Sequence, residues 1–291
     1  MVVPQNEIGR DPSVIAAWAT DVEANGFDYL DIFDHVLGGV ESHRYGPYTH
    51  EHEFHEPFVL YGFLAGKVSI DLAIGVLVLP QRQTALVAKQ AAEVDLLSGG
   101  RLRLGVGIGW NPVEYEALGA EFSDRARRIE EQIAVLRELW CRPVVDVDLP
   151  HHRIIAAGIA PLPHQRPIPL WMGGGATPRV LDRIGRLADG WMIHDPHPER
   201  ATAPLAEVRL SAERAGRDPD SIGVQGRIDV HGELDEDRFT DALTRWERVG
   251  AGYVSIHIRG QGGVDRHREL LRHVGRLCAP HLTVGPKGSV R

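Results

Sequence analysis

The chain has 291 residues, of which 43% are hydrophobic and 25% charged, and a formal net charge of −8. The length fits one barrel of roughly 250 residues or two ordinary domains, and a chain of this size and composition buries about three quarters of its unfolded surface, which excludes disorder as the main state. The acidic balance excludes partners that need a net basic face, nucleic acid and anionic membrane among them, while leaving a local anion pocket open.

From the N-terminus, Val2-Val3-Pro4 reads as a shortened first strand, because so few residues precede the Pro4-Gln5-Asn6-Glu7 turn. A helix is expected over 12–25, opened by Asp11-Pro12 and closed at Gly26. A strand at 27–34 is followed by a segment, 37–63, rich in His, Gly, Tyr and Glu, which reads as a loop. Strand 70–79, helix 84–97, strand 102–108 and helix 124–140 come next, the last with Ile129, Ile133, Leu136 and Trp140 on one seam. Segment 146–166 again breaks the rhythm and reads as a loop. Strands 168–172, 190–193, 222–230 and 253–256 then alternate with helices 177–188, 198–215, 235–249 and 266–277. Most of the strands are apolar on both faces, as buried parallel strands are. Seven or eight β-then-α units without a composition break predict an α/β fold, a (β/α)8 TIM barrel forming a single domain over 1–291; a doubly wound open sheet is the runner-up.

Cys141 and Cys278 lie far apart with no C-x-x-C partner, so neither a disulfide framework nor a thiolate zinc site is implied. No run approaches 18 uninterrupted apolar residues, and the start lacks a signal peptide's charged head and apolar core, so a cytoplasmic location is expected. A small-molecule substrate and a homodimer are expected; nucleic acid and membrane are not.

Asp34-His35 ends the second strand, the place where a barrel carries a general acid or base, and His is the side chain whose proton moves near neutral pH. A strand-end Asp capping a turn is the equal alternative. The run Leu104-Gly105-Val106-Gly107-Ile108-Gly109-Trp110-Asn111-Pro112 lets a flat ligand approach the backbone, but its spacing departs from G-x-G-x-x-G. Gly173-Gly174-Gly175-Ala176-Thr177-Pro178-Arg179 is sharper: three glycines leave a strand and open a helix whose first amides are free, beside a hydroxyl and a cation, which describes a phosphate cradle. A tight turn would need one glycine. His50, His52 and His55, interleaved with Glu51, Glu53 and Glu56, form a metal-like cluster that His194, Asp195 and His197 could complete. The run lies in a loop instead of a strand end, so no metal site is assigned.

The segments Gly75-Val76-Leu77-Val78-Leu79-Pro80-Gln81-Arg82 and Ala88-Lys89-Gln90-Ala91-Ala92, the stretch from Leu97-Ser98-Gly99-Gly100-Arg101 to Asn111-Pro112, residues 173–179, Arg186-Leu187-Ala188-Asp189-Gly190-Trp191 and the Asp34-His35 pair together resemble the luciferase-like monooxygenase superfamily, closest to the branch that uses the deazaflavin coenzyme F-420. The resemblance covers nearly the whole chain. It implies a barrel that binds a flavin-like ring at its C-terminal mouth. Asp34 would meet the ring's head and His35 would be the acid/base group, with Glu7 a second candidate. Gly75 and Val76 would form a bulged cis peptide behind the ring. Gly173, Gly174, Gly175 and Thr177 would hold the phosphate, Asn111 would contact the cofactor, and Arg82 or Arg179 would meet the anionic lactyl-glutamate tail. The chain departs from the sugar-phosphate dehydrogenase branch, whose strand-4 loop carries a Gly-Glu pair: here Gly109 is followed by Trp110, and Glu114 lies one turn on. The implied activity is hydride transfer between coenzyme F-420 and a small organic substrate. FMN is the alternative cofactor, in a monooxygenase; a metal-dependent hydrolase and a silent flavin-binding subunit are more remote.

Overall fold

In a computed structural model the described residues are 1–40, 46 and 48–281. Seven parallel strands form one sheet in the order β1 (Tyr29–Ile32), β2 (Asp71–Val78), β3 (Leu102–Gly107), β6 (Leu170–Gly173), β7 (Gly190–Met192), β8 (Gly223–His231) and β9 (Tyr253–Arg259). Residues 1–3 close it. Val2 N–H donates to the Ile256 carbonyl at 2.9 Å on one side, and Val3 N–H donates to the Asp31 carbonyl at 2.8 Å on the other. Residues 1–3 therefore seal the barrel, and the open-sheet alternative is overturned by those two bonds.

The helices α1 (Pro12–Ala24), α3 (Thr84–Ser98), α5 (Arg125–Cys141), α6 (Pro178–Leu187), α7 (Thr202–Arg214), α8 (Glu236–Val249) and α9 (Val264–Cys278) surround the sheet. Each lies where its apolar seam predicts. Ile129, Ile133, Leu136 and Trp140 of α5 are all buried. Inside the barrel the Trp171 indole lies where the β-carbons of Gly190 and Gly223 would sit, at 2.4 and 2.5 Å, so those glycines are the room the indole needs. Arg103 is also buried here, its guanidinium carbon 4.2 to 4.8 Å from the ring centroids of Tyr29, Trp171 and Tyr253. It donates to Gln225 Oε1 at 2.9 Å, and Gln225 Nε2 donates to the buried Asp31 at 3.2 Å.

Both presumed loops carry structure. Segment 37–63 runs into α2 (Pro57–Leu64), which Glu56 caps by accepting from Val59 N–H at 2.8 Å. Pro57 punctuates a loop when read alone, but it occupies the first helical turn, where a missing N–H does no harm. Segment 146–166 contains an antiparallel hairpin, β4 (Val145–Leu149) with β5 (His152–Ala157). The alternation Val145-Asp146-Val147-Asp148-Leu149 is the signal that the reading missed. A further short helix, α4 (Pro112–Ala117), leaves the end of β3.

The hairpin is pinned to α5 by His151, whose two ring nitrogens meet Glu131 at 2.9 Å and Asp124 at 2.8 Å. The Glu131 hydrogen bond, with Asp124 behind it, raises the imidazole above its ordinary 6.5. A histidine whose folded pKa is raised contributes stability that is complete below the unfolded value and is lost as pH rises through the raised one. Amide exchange over 145–157, relative to the barrel strands, is expected to quicken between pH 6 and pH 9. Glu131→Gln is expected to make it fast at both pH values; an unchanged ratio in the parent rules out the pin.

Candidate active site

The strand ends meet at the C-terminal mouth. Asp34, just beyond β1, is buried and accepts from Arg82 Nη2 at 2.7 Å and from Val78 N–H at 2.9 Å. Arg82 also reaches Glu56 at 3.0 Å. The trio ties β1 to the end of β2 and to the cap of α2. Arg82 thus spends its charge on two carboxylates, and Arg179, exposed and with no ion pair among the described residues, is the freer of the two cations expected near an anionic tail.

His35 is held in an aromatic box, its ring centroid 4.8 Å from Tyr48, 4.7 Å from Phe54 and 5.5 Å from Trp110. Its Nδ1 lies 3.4 Å from Oε1 of Glu114, a buried carboxylate that also accepts from Val36 N–H at 2.6 Å. Sequence reasoning left Glu114 without a role. In Asn111-Pro112-Val113-Glu114 it reads locally as the far end of a capping box, turned back on its own helix, whereas it crosses to β1's exit and fixes the backbone that carries His35. Glu114→Gln keeps an acceptor for Val36 and removes the charge beside Nδ1. Turnover is expected to fall by about tenfold or more at an unchanged melting temperature. Unchanged turnover would leave Glu114 a purely structural anchor.

On β2 the register against β3 slips between Ile74 and Leu77, and the Gly75–Val76 peptide is cis. The Val76 side chain fills the places that β-carbons at Gly107 and Gly173 would take, each 2.7 Å from a Val76 methyl. The bulge on β2 and the glycine turn after β6 are thereby neighbours across the mouth. That turn runs from Gly173 to Thr177, the N-cap residue of α6. The N–H groups of Gly175, Ala176 and Arg179 and the Thr177 hydroxyl donate to no described residue. Such free donors at a helix N-terminus fit a phosphate. A β-carbon at Gly174 would strike Val180 at 2.7 Å, so that glycine is needed for packing as well; one at Gly175 meets nothing within 4 Å.

The remaining sequence candidates have other partners. Asn111 is buried and caps α4 through Val113 N–H at 3.1 Å, with its amide nitrogen 3.4 Å from the Leu37 carbonyl. Glu7 accepts from the N–H groups of Gly260 and Gln261, both at 2.7 Å, and from Gly262 at 3.2 Å, and meets His267 Nε2 at 3.1 Å. Burial pushes its carboxyl up, but those bonds hold it below the ordinary carboxylate value, so Glu7 braces the loop after β9 as a constant anion. The three loop histidines separate: His52 Nδ1 accepts from Thr49 N–H, His55 N–H donates to Gln5, and His50 is exposed. His197 and Asp195 pair with Glu199 and Arg200. Among the described residues no set of three His, Cys, Asp or Glu is placed to hold a metal ion, and no helix is long and apolar enough to cross a membrane.

Residues 3–282 match the family model described as luciferase-like monooxygenase. An uncharacterized protein of Mycobacterium tuberculosis is 36% identical over 252 residues, 83% of each chain. The F-420-dependent glucose-6-phosphate dehydrogenase of Mycolicibacterium gilvum is 27% identical over 245 residues, 81% of this chain and 69% of that one. The coenzyme F-420-dependent tetrahydromethanopterin reductase of Methanopyrus kandleri superposes with a TM-score of 0.76 over 97% of both chains at 18% identity, a likeness of fold. The family match runs almost from end to end of a barrel whose glycine turns stand at the mouth, and the chain therefore belongs to the luciferase-like monooxygenase family.

Proposed function

We propose that this chain is a coenzyme F-420-dependent oxidoreductase that moves a hydride between the deazaflavin and a small organic substrate. The observation that carries the reading is the adjacency, through Val76, of the β2 bulge and a glycine cradle with unused donors. The deazaflavin is favoured over FMN by the 27% identity to an F-420-dependent dehydrogenase across most of the chain. When bound, that coenzyme supplies hydride transfer at its C-5 carbon, and the protein supplies placement and proton handling. Gly175, Ala176, Arg179 and Thr177 would bind the phosphate, and Gly75 and Val76 would back the ring. Tyr48, Phe54 and Trp110 surround the His35 ring on its apolar sides. For a hydroxyl-bearing substrate, His35 Nε2 would take the hydroxyl proton while the bound coenzyme supplied the acceptor for the hydride, and in the reverse direction His35 would return that proton.

Titration of the purified protein with coenzyme F-420 and with FMN, followed by fluorescence, tests the reading. Tight FMN binding with no response to the deazaflavin overturns it. Gly175→Val separates cradle from turn, because the protein has room for that side chain and a phosphate does not. F-420 affinity is expected to fall by about tenfold or more, ~1.4 kcal/mol, at an unchanged melting temperature. Unaltered affinity would return residues 173–177 to the status of a simple turn.

A further inference from the structure

We infer that the cavity beside the barrel's closing seam is a substrate pocket for a small carboxylate with an apolar or aromatic body, and that Arg259 binds the carboxylate. This rests on the reading of the mouth as an oxidoreductase site and names the substrate class that site takes.

The cavity is about 300 Å³, within the range of small-ligand sites. It lies between residues 3–7, which leave the first element, and His257 to Gly260 at the end of β9. Phe33, Tyr48 and Phe54 give it an apolar wall. Tyr48 and Phe54 are also two sides of the box around His35, so whatever fills the cavity adjoins the group proposed to move the proton. The barrel's strand order sets its distance from the cradle. Between residues 1–3 and β6 stand β1, β2 and β3 on one side and β7, β8 and β9 on the other, so the cavity lies across the mouth from Gly173. A ligand here does not compete for the cradle.

Among the described residues Arg259 is the cation of this cavity without a counter-charge. Its Nε is buried and has no hydrogen-bond partner, and its guanidinium forms no ion pair among the described residues. A buried donor left unsatisfied is unfavourable, and it asks for an acceptor. The nearby carboxylates are committed elsewhere. Glu7 holds three backbone N–H groups and His267. Asp229 takes both Nε and Nη2 of Arg227, at 3.0 and 2.9 Å. On the far side of Arg259, Asp235 caps α8 through Arg238 N–H, Asp241 pairs with Arg245, and Glu233 makes no ion pair with it.

His257 lines the same cavity, but its Nδ1 is taken up by the Arg227–Asp229 pair, 2.9 Å from Arg227 Nη2 and 3.3 Å from Asp229 Oδ1. Arg259 is therefore the group that meets an anion here, and one guanidinium matches a carboxylate monoanion, bound through the planar fork. A phosphate dianion would leave charge unmet.

The test uses the full chain with and without coenzyme F-420, and trans-cinnamate against its neutral isostere cinnamamide, by calorimetric titration. Cinnamate is expected to bind at least about tenfold more tightly than cinnamamide, and Arg259→Gln is expected to erase that difference while leaving cinnamamide affinity unchanged. Phe54→Ala is expected to weaken both probes together. Equal affinities in the parent, no binding of cinnamate, or a preference that survives Arg259→Gln and disappears in Arg179→Gln would each overturn the inference, the last by placing the anion in the cradle. The probes need no cofactor, so a failed F-420 titration beside intact cinnamate discrimination would sink the cofactor reading alone.

Discussion

His35→Ala is expected to lower turnover by about 10²–10⁴-fold, the usual contribution of a positioned acid or base, while coenzyme F-420 affinity changes by less than about threefold. The split follows from geometry. His35 has ring contacts with Tyr48, Phe54 and Trp110 and a carboxylate at 3.4 Å from Nδ1, which leaves Nε2 for the substrate. The donors assigned to the phosphate stand on the turn after β6, not on this loop. Alanine opens a gap among three rings but removes no donor from the cradle. Steady-state rates followed through the coenzyme's absorbance, with its dissociation constant measured separately, check both halves. A variant as active as the parent removes His35 from the mechanism, and a parallel loss of affinity recasts it as a binding residue.

Arg103→Ala is expected to destabilise the barrel by about 3–5 kcal/mol, the range for removing one partner from a buried charged set. Three aromatic rings lose the cation packed on them, and Gln225 Oε1 loses its donor. Asp31 is then left as a buried carboxylate whose supports are Ser255 Oγ at 2.7 Å and Gln225 Nε2. Burial already raises the Asp31 carboxyl above its ordinary 3.8. A carboxyl raised in the folded state brings no penalty below its unfolded pKa and a growing one as pH climbs from there to the folded value. Without Arg103 the folded value rises further, so the deficit is expected to be larger at pH 7 than at pH 5. Urea unfolding at the two pH values checks this. The double variant Arg103→Met with Asp31→Asn is expected to recover much of the loss, because it withdraws both charges from the interior. Strict additivity of the two single changes would show that the charges are independent.

The two largest effects differ in how far they could be foreseen. His35 stands at a strand end that its own neighbours announce, and the glycines at 75, 107 and 173–175 are legible as places where chain or ligand comes close. Arg103 reads as a polar interruption in an apolar strand, and nothing local says that Tyr29, Trp171 and Tyr253 surround it. Glu114 and Arg259 are similar cases. Each has an unremarkable setting along the chain, and each gains its meaning from a residue or a cavity wall brought from far away: Val36 is 78 positions from Glu114, and Glu7 is 253 from Gly260.

By itself the sequence determined the alternation of strands and helices, the parallel sheet they build, the family resemblance and the glycine turns at the mouth. These follow from period-2 and period-3.6 burial and from backbone freedom, both properties of a few consecutive residues. The tertiary structure decided that residues 1–3 seal the barrel, that Arg82 is spent on Asp34 and Glu56, that Glu7 braces a loop and that Arg259 faces a cavity with its charge unpaired among the described residues. Closing a sheet on itself brings eight chain segments to one rim. Which side chains then meet depends on register and curvature around the whole circle, and no stretch of neighbouring residues encodes that.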